Sequence, residues 1–305
     1  MKAIQYKSFG KSDALELVQT DKPGIKENEI LINVSATTIN PLDMKIRSGY
    51  MQKIMPVQFP YTPGLDASGI VAAVGNKVTR IKVGDEVLAT PSAAGAYAEY
   101  VAADEDKAAL KPANISFNEA AALVIPFATS YAVLIEVGKI QAGQKVLIHG
   151  ASGAVGSMMV QVAKALGAYV IGTGSDVARI KELGADEAIN YKTQDFTTLV
   201  KEVDVVADLA GGEAQTKSFE VLKKGGKLLS IVMPPSAELA EKFKVNAQFV
   251  SSNSSHEILS LGLQLLEEGK IKTIISKVMK LEQAAQAQDF VSAGGVNGKV
   301  VLEIN

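Results

Sequence analysis

Lys145–Gly156 reads KVLIHGASGAVG, and this stretch decides the fold. Lys145–His149 is a short apolar run with strand character. Gly150, Gly153 and Gly156 follow at three-residue spacing, and Ser157–Leu166 reads as a helix. Against the pattern G-x-G-x-x-G, Ala151 stands at the first glycine position and Gly153 and Gly156 at the other two. A strand that turns through small residues into a helix start presents unpaired amides to a pyrophosphate at close range. The next apolar run, Tyr169–Thr173, completes a βαβ unit at the expected distance. The spacing therefore points to a bound dinucleotide. The same pattern also serves a plain tight turn that packs a helix on a sheet, so the neighbouring strand and helix carry the argument.

Working outward, strands and helices alternate through the second half of the chain. The expected strands are Lys145–His149, Tyr169–Thr173, Glu187–Asn190, Asp204–Leu209, Lys227–Val232 and Gln248–Ser252. Six strands in this alternation predict an α/β fold with a doubly wound parallel sheet. Before it, Ser116–Leu134 reads as a helix, with Ser116 and Glu119 at capping-box spacing. The chain up to Pro112 reads instead as strands joined by loops: Lys2–Tyr6, Leu15–Thr20, Glu29–Thr37, Ala67–Val74, Glu86–Thr90 and Ala96–Ala102. Turn signals such as Lys22-Pro23-Gly24 and Gly84-Asp85 separate them. This predicts a barrel-like β domain. The tail offers helices around Glu257–Glu268 and Glu282–Ser292, and strands near Ser276–Leu281 and Lys299–Ile304. These exceed the six-strand count and are expected to return to the β domain. The predicted division is 1–118 with 255–305 for the β domain and 119–254 for the dinucleotide domain.

The 305 residues suit two domains with sizeable cores. The chain is 47% hydrophobic and 21% charged, and its net charge of −2 gives no electrostatic case for nucleic acid or an anionic membrane. The apolar run Ala120–Ile135 is short for a span and is interrupted by Pro126, Thr129 and Ser130, so it reads as buried helix. No signal core opens the chain, and a cytoplasmic location is the expectation. There is no cysteine and there are two histidines, His149 and His256. That excludes disulfides, thiolate nucleophiles and Cys-ligated zinc, and leaves no metal expected. Both histidines read as structural or solvated, His256 on a helix surface.

The order of these segments resembles the medium-chain dehydrogenase/reductase superfamily, specifically its zinc-independent quinone oxidoreductase and enone reductase branch. The resemblance runs over nearly the whole chain. It is carried by Asn40-Pro41-Leu42-Asp43-Met44-Lys45, Pro63-Gly64-Leu65-Asp66-Ala67-Ser68-Gly69, Val83-Gly84-Asp85-Glu86-Val87, Gly184-Ala185-Asp186 and Gly298-Lys299-Val300-Val301-Leu302. It implies a GroES-like, β-barrel-type catalytic domain beside a Rossmann domain. Where the zinc-dependent alcohol dehydrogenases carry G-H-E, this chain has Gly64-Leu65-Asp66, and their four-cysteine loop is absent. Without a Lewis acid, a saturated carbonyl loses its main oxyanion stabilisation. An enone or quinone delocalises that charge itself. The resemblance therefore implies hydride transfer to quinones or α,β-unsaturated carbonyls.

Residue roles follow from the same resemblance. Ser152, Gly153, Ala154, Val155 and Gly156 are expected at the pyrophosphate. Gly174 stands where NAD sites place an acidic residue. Ser175, Arg179 and Tyr191 are expected around the 2′-phosphate of NADPH, with guanidinium–phosphate pairing as the physical reason. A small register shift would instead bring Asp176 to the ribose, and Arg179 also reads as a solvated helix charge. Thr129, Ala210, Gly211, Val232 and Met233 are expected along the cofactor, although Thr129 equally suits helix packing. The nicotinamide is expected in a cleft between the domains, beyond the strand C-termini. There Asn40 is a candidate donor to the acceptor carbonyl, Lys45 a candidate to polarise that oxygen or donate a proton, and Tyr50 a second donor or a pocket wall. Asn40 also suits a turn before Pro41, and Lys45 a solvated surface. Solvent can supply the proton in either case. An enoyl-thioester reductase and a non-catalytic NADPH-binding sensor or scaffold remain alternatives. A short-chain dehydrogenase does not, because no tyrosine has Lys four residues later. The resemblance implies a homodimer paired through the strand near Gln248–Ser252.

Overall fold

The structure is a computed structural model that describes residues 1–304. In chain order the first strands are β1 (Lys2–Gln5), β2 (Glu16–Gln19), β3 (Glu29–Thr38), β4 (Ala67–Val74), β5 (Glu86–Ala89), β6 (Tyr100–Asp104) and β7 (Ala108–Leu110). Then come β8 (Lys145–His149), β9 (Tyr169–Gly174), β10 (Glu187–Asn190), β11 (Val203–Asp208), β12 (Leu222–Ser230) and β13 (Asn246–Phe249). The last two are β14 (Ile275–Lys280) and β15 (Lys299–Glu303). The helices are α1 (Pro41–Arg47), α2 (Phe117–Ser130), α3 (Ala154–Ala165), α4 (Val177–Glu182), α5 (Phe196–Leu199), α6 (Gly212–Ser218), α7 (Ala237–Phe243), α8 (His256–Glu267) and α9 (Ala284–Ser292).

Two compact units result. The first holds Met1–Ile125, Ser254–Glu267 and the chain from Ile275 onward; the second holds Pro126–Asn253 and Glu268–Ile274. These limits differ from the expected ones. The 118/119 boundary lies inside α2, a continuous helix that leaves one unit and enters the other. Glu268–Ile274 joins the second unit because Gln161 of α3 grips Lys272 at both backbone atoms, at 2.8 and 3.0 Å.

In the first unit the main sheet runs β14-β15-β3-β4-β5-β7, with β6 also on β3. Strand β3 is its axis. It pairs antiparallel with β4, β6 and β15, and Ile30, Ile32 and Val34 from one face enter a core with Ala67, Val71 and Val87. The expected strand Ala96–Ala102 is displaced to Tyr100–Asp104. Ala94 and Gly95 take left-handed backbone, and Tyr97 N–H turns to the carbonyl of Pro63 at 2.9 Å, which leaves Ala96–Ala98 outside the ladder.

In the second unit all six strands are parallel in the order β10-β9-β8-β11-β12-β13. The order reverses between β8 and β11, which defines the switch point where doubly wound sheets bind ligands beyond their strand C-termini. Strand β12 begins at Leu222, not at Lys227. Lys223-Lys224-Gly225-Gly226 reads as a turn, but a register shift against β11 between Val203 and Val205 absorbs it. The strand also ends early, at Ser230. Helix α2 carries the expected capping box, with Glu119 N–H on Ser116 Oγ at 3.2 Å and Ser116 N–H on Glu119 Oε2 at 3.0 Å. It runs on as a π-helical stretch through Val137. Phe117–Val137 is long and apolar enough to cross a membrane, and most of it is buried in the fold.

Candidate functional site

The glycine turn after β8 packs its backbone directly against the first turn of the next helix. A Cβ on Gly156 would collide with the Gly150 carbonyl and lie 2.7 Å from Ala151 Cα. Gly150 itself takes φ +69°, which glycine adopts freely. Gly153 is the N-cap of α3 and supplies no side-chain cap to the first-turn amides. The helix begins at Ala154, three residues earlier than expected, so Ala154, Val155 and Gly156 form its first turn. A positive helix end with uncapped amides is the donor set for a pyrophosphate.

At the end of β9, a Cβ on Gly174 would lie 2.7 Å from Ile180 Cδ1 and 2.8 Å from Ser152 Oγ. An acidic side chain there would have to displace both neighbours. Asp176 is the N-cap of α4, and its Oδ1 accepts from Arg179 N–H at 3.0 Å. Arg179 Nε lies 3.5 Å from Glu182, a contact between partly exposed groups. A cavity of about 610 Å³ opens over the C-terminal ends of β8, β9 and β11. Its walls include Gly150, Thr173, Tyr191, Lys192, Ala210 and Lys217. Tyr191 and Ala210 were expected here. Lys192 and Lys217 were not singled out in the sequence, because isolated lysines among polar residues look like any solvated surface. Thr129 is buried with Oγ1 3.3 Å from Ser252 Oγ, the packing alternative for that residue. These features fit a dinucleotide: the glycine turn and α3 at the pyrophosphate, the Tyr191–Lys192 wall of the cavity at one nucleoside half, and the Ala210 wall toward the other.

His149 lines this cavity yet has no spare nitrogen. Nδ1 lies 2.9 Å from Thr173 Oγ1 and Nε2 lies 2.9 Å from Ser218 Oγ. Burial pushes its pKa down to about 4, with the Asp208 carboxylate pulling the other way. The ring is therefore neutral at pH 7 and donates no proton to chemistry there. Because the unfolded ring, with its ordinary value near 6.5, takes up a proton first as pH falls, His149 stabilises the fold above pH 6.5 and loses that contribution toward pH 4. Urea unfolding of wild type and His149→Gln at pH 7 and pH 4 should therefore show the gap between them shrinking by on the order of 3 kcal/mol. A gap independent of pH would mean that the ring is not held neutral.

The first unit holds a second polar centre, around α1. Asp66, fully buried, accepts from Thr38 N–H (2.7 Å), Thr38 Oγ1 (2.7 Å) and Asn40 Nδ2 (2.9 Å), and lies 3.4 Å from Lys299 Nζ. Lys299 Nζ donates to Asn40 Oδ1 at 2.7 Å. Asn40 Nδ2 also approaches the Thr38 carbonyl at 3.3 Å. Both amide hydrogens of Asn40 are thus engaged inside the protein, so it is not placed as the expected donor to a substrate carbonyl. It anchors the start of α1 instead. Asp43 accepts from Asn40 N–H (3.0 Å), Gly64 N–H (3.1 Å) and Tyr97 O–H (3.3 Å). Burial, then the Asp66 charge, raises its pKa to about 7. Two carboxylates face one ammonium, and a proton on Asp43 makes the cluster neutral. Lys45 and Tyr50 stand outside this cage. Both are exposed, Tyr50 at 78%.

The comparisons with known proteins agree with this geometry. Residues 26–113 match the family model described as "Alcohol dehydrogenase GroES-like domain", and residues 183–302 match "Zinc-binding dehydrogenase". A tomato (Solanum lycopersicum) protein named 2-methylene-furan-3-one reductase is 36% identical, over 99% of this chain and 79% of its own length. The solved quinone oxidoreductase of Coxiella burnetii superposes with a TM-score of 0.94 at 33% identity, covering 100% of this chain and 99% of that one. The chain belongs to the quinone oxidoreductase branch of the medium-chain dehydrogenase/reductase superfamily. Within that branch, the Escherichia coli quinone oxidoreductase solved with NADPH is 30% identical, with a TM-score of 0.90 over 99% of this chain and 100% of that one.

For a member of this superfamily, the donor inventory is distinctive. The sequence has no cysteine. His256 Nδ1, at the start of α8, lies 2.9 Å from the Ala108 carbonyl and is held to the first unit's sheet, the structural one of the two expected alternatives. The Asp66–Lys299 pair went unrecognised in the sequence. The available signal was a lysine opening the apolar run Lys299-Val300-Val301-Leu302, where a strand residue is buried and a charge needs a partner.

Proposed function

We propose that this protein is an NADPH-dependent, zinc-independent reductase of quinones or α,β-unsaturated carbonyls. The observation that carries the cofactor reading is the uncapped first turn of α3, held against the glycine turn at Gly156, where a Cβ has no room. NADPH, when bound, supplies a hydride. The chain's residues do the rest. The amides of Ala154, Val155 and Gly156 hold the pyrophosphate with Ser152 and Gly153 alongside. Ser175, Arg179, Tyr191 and Lys192 meet the 2′-phosphate. Gly174 leaves no carboxylate to repel it, because Asp176 is spent on capping α4. Ala210, Gly211, Val232 and Met233 line the remainder of the cofactor. Lys45 and Tyr50, exposed beside the Asn40 cage, are the candidates to polarise the acceptor oxygen and return a proton, with solvent as the alternative source.

Zinc independence is supported by the donor chemistry. Cysteine is absent, Leu65 stands at the G-H-E histidine, both histidines are engaged by other groups, and the Asp66 carboxylate is filled by four donors. The acceptor class is supported by the names of the relatives, one a quinone oxidoreductase and one a reductase of an exocyclic enone. A cytoplasmic location follows from the same reading. So does a homodimer, for which β13, one of the two edges of the parallel sheet, is the expected strand, with Phe249 half-exposed on it.

The test is loss of NADPH absorbance with a short enone, a simple quinone and a saturated ketone. Oxidation with either conjugated acceptor but not the ketone is the expected result. Arg179→Glu should raise the NADPH KM by roughly tenfold or more while changing the NADH KM little. No turnover with any acceptor despite NADPH binding would favour the sensor alternative, and equal KM changes would remove Arg179 from the phosphate site.

A further inference from the structure

Asp208 ends β11 and is fully buried. Its Oδ1 accepts from Ala210 N–H at 3.0 Å and Gly211 N–H at 2.7 Å, which closes the loop after its own strand. Its Oδ2 reaches elsewhere. It accepts from Gln215 Nε2 of α6 at 2.9 Å and from Ser230 Oγ, at the end of β12, at 2.8 Å. Both of these partners also touch the loop after β12. Gln215 Nε2 donates to the Met233 carbonyl at 3.1 Å, and Ser230 Oγ accepts from Val232 N–H at 3.2 Å. One carboxylate with its acceptor sites filled thus ties two adjacent loops into a single block. The loops also meet sterically, since a Cβ on Gly211 would lie 3.2 Å from Val232 Cγ1.

The sheet does not need this carboxylate to pair. Strands β11 and β12 run in parallel register through their backbones up to Asp208 opposite Ser230. What the carboxylate adds lies beyond the strand ends. Strand β9, with Gly174 and the start of α4, is on one side of the switch point; β11 and β12 are on the other. A dinucleotide lying across that point, with its 2′-phosphate near α4, puts its nicotinamide half over the loops after β11 and β12.

We propose that Asp208, acting through Gln215 and Ser230, is a positioning residue that holds these two loops in one arrangement for the nicotinamide half of the cofactor. The inference rests on the NADPH reading above. Its test compares wild type, Gln215→Ala and Ser230→Ala in binding to NADPH, NADH and adenosine 2′,5′-bisphosphate, which carries the adenosine half alone. Loss of one buried hydrogen bond in the block should weaken NADPH and NADH alike by about tenfold in at least one variant. The bisphosphate affinity should stay unchanged. Unchanged NADPH affinity in both variants overturns the proposal, and so does an equal loss for NADPH and the bisphosphate, which would mark a general structural role. Wild type that binds none of the three overturns the cofactor reading itself and this inference with it. Ser230→Ala removes a single oxygen, so one variant remains readable if Gln215→Ala folds poorly.

Discussion

Lys299→Met lowers stability by about 3–5 kcal/mol, the cost of leaving a buried charge without its partner. The cage explains the size of the effect. Lys299 is the ammonium that faces Asp66 and Asp43, and it is also the donor to Asn40 Oδ1. Methionine fills similar volume but leaves Asp66 charged among apolar strands and Asn40 Oδ1 short of a donor. Asp43, whose pKa burial raises to about 7, is neutral at pH 5 and adds a second uncompensated charge at pH 8, so the loss is greater at pH 8. Asp66→Asn in the same chain should recover part of it, because a neutral amide no longer requires a cation. Urea midpoints for the two single variants and the double variant at both pH values measure this. Additive losses in the double variant would show that the two groups do not compensate each other. The loss should also reach α1, because Asn40 N–H and Asp43 tie that helix to the same cage.

Gly156→Ala is the second large effect, and it falls on binding. The new methyl would have to share space with the Gly150 carbonyl and sit against Ala151 Cα, both of them backbone that cannot rotate away. Helix α3 must shift off the turn, at a strain cost of about 1–3 kcal/mol. Its first-turn amides then no longer converge on one anion. NADPH affinity should fall roughly 10- to 100-fold, read by fluorescence titration. Gly153→Ala is the internal control for the packing part. Its Cβ would be 3.4 Å from the same carbonyl, an ordinary contact, so thermal stability should change little. Equal melting losses in the two variants would refute the steric account.

Much of the architecture was legible in the chain. Strand β8 and the glycine turn announce themselves because a strand buried in a parallel sheet is mostly apolar, and because a helix start that packs closely on a turn needs glycine at the contact. The capping box at Ser116 was equally readable, since its partners lie three residues apart. The start of α3 at Ala154 is not legible, because small residues there mimic a loop. Strand β12 was placed late because Lys223-Lys224-Gly225-Gly226 has turn composition and only the register of β11 reveals a bulge.

The candidate site divides in the same way. Local sequence determined which residues supply the anion-binding helix end, where an acidic ribose partner is missing, and that Arg179 lies on a helix. These are properties of residues within a turn or two of one another. Only the tertiary structure decided that Asn40 is held within a cage, that Lys299 is the counter-ion of Asp66 across 233 positions of chain, and that Asp208 joins loops through Gln215 and Ser230. Each of these rests on a polar group withdrawn from water, and such a group takes whatever partner the fold brings within hydrogen-bonding reach. Sequence spacing carries no record of that partner, because burial creates the need for it and strand pairing delivers it.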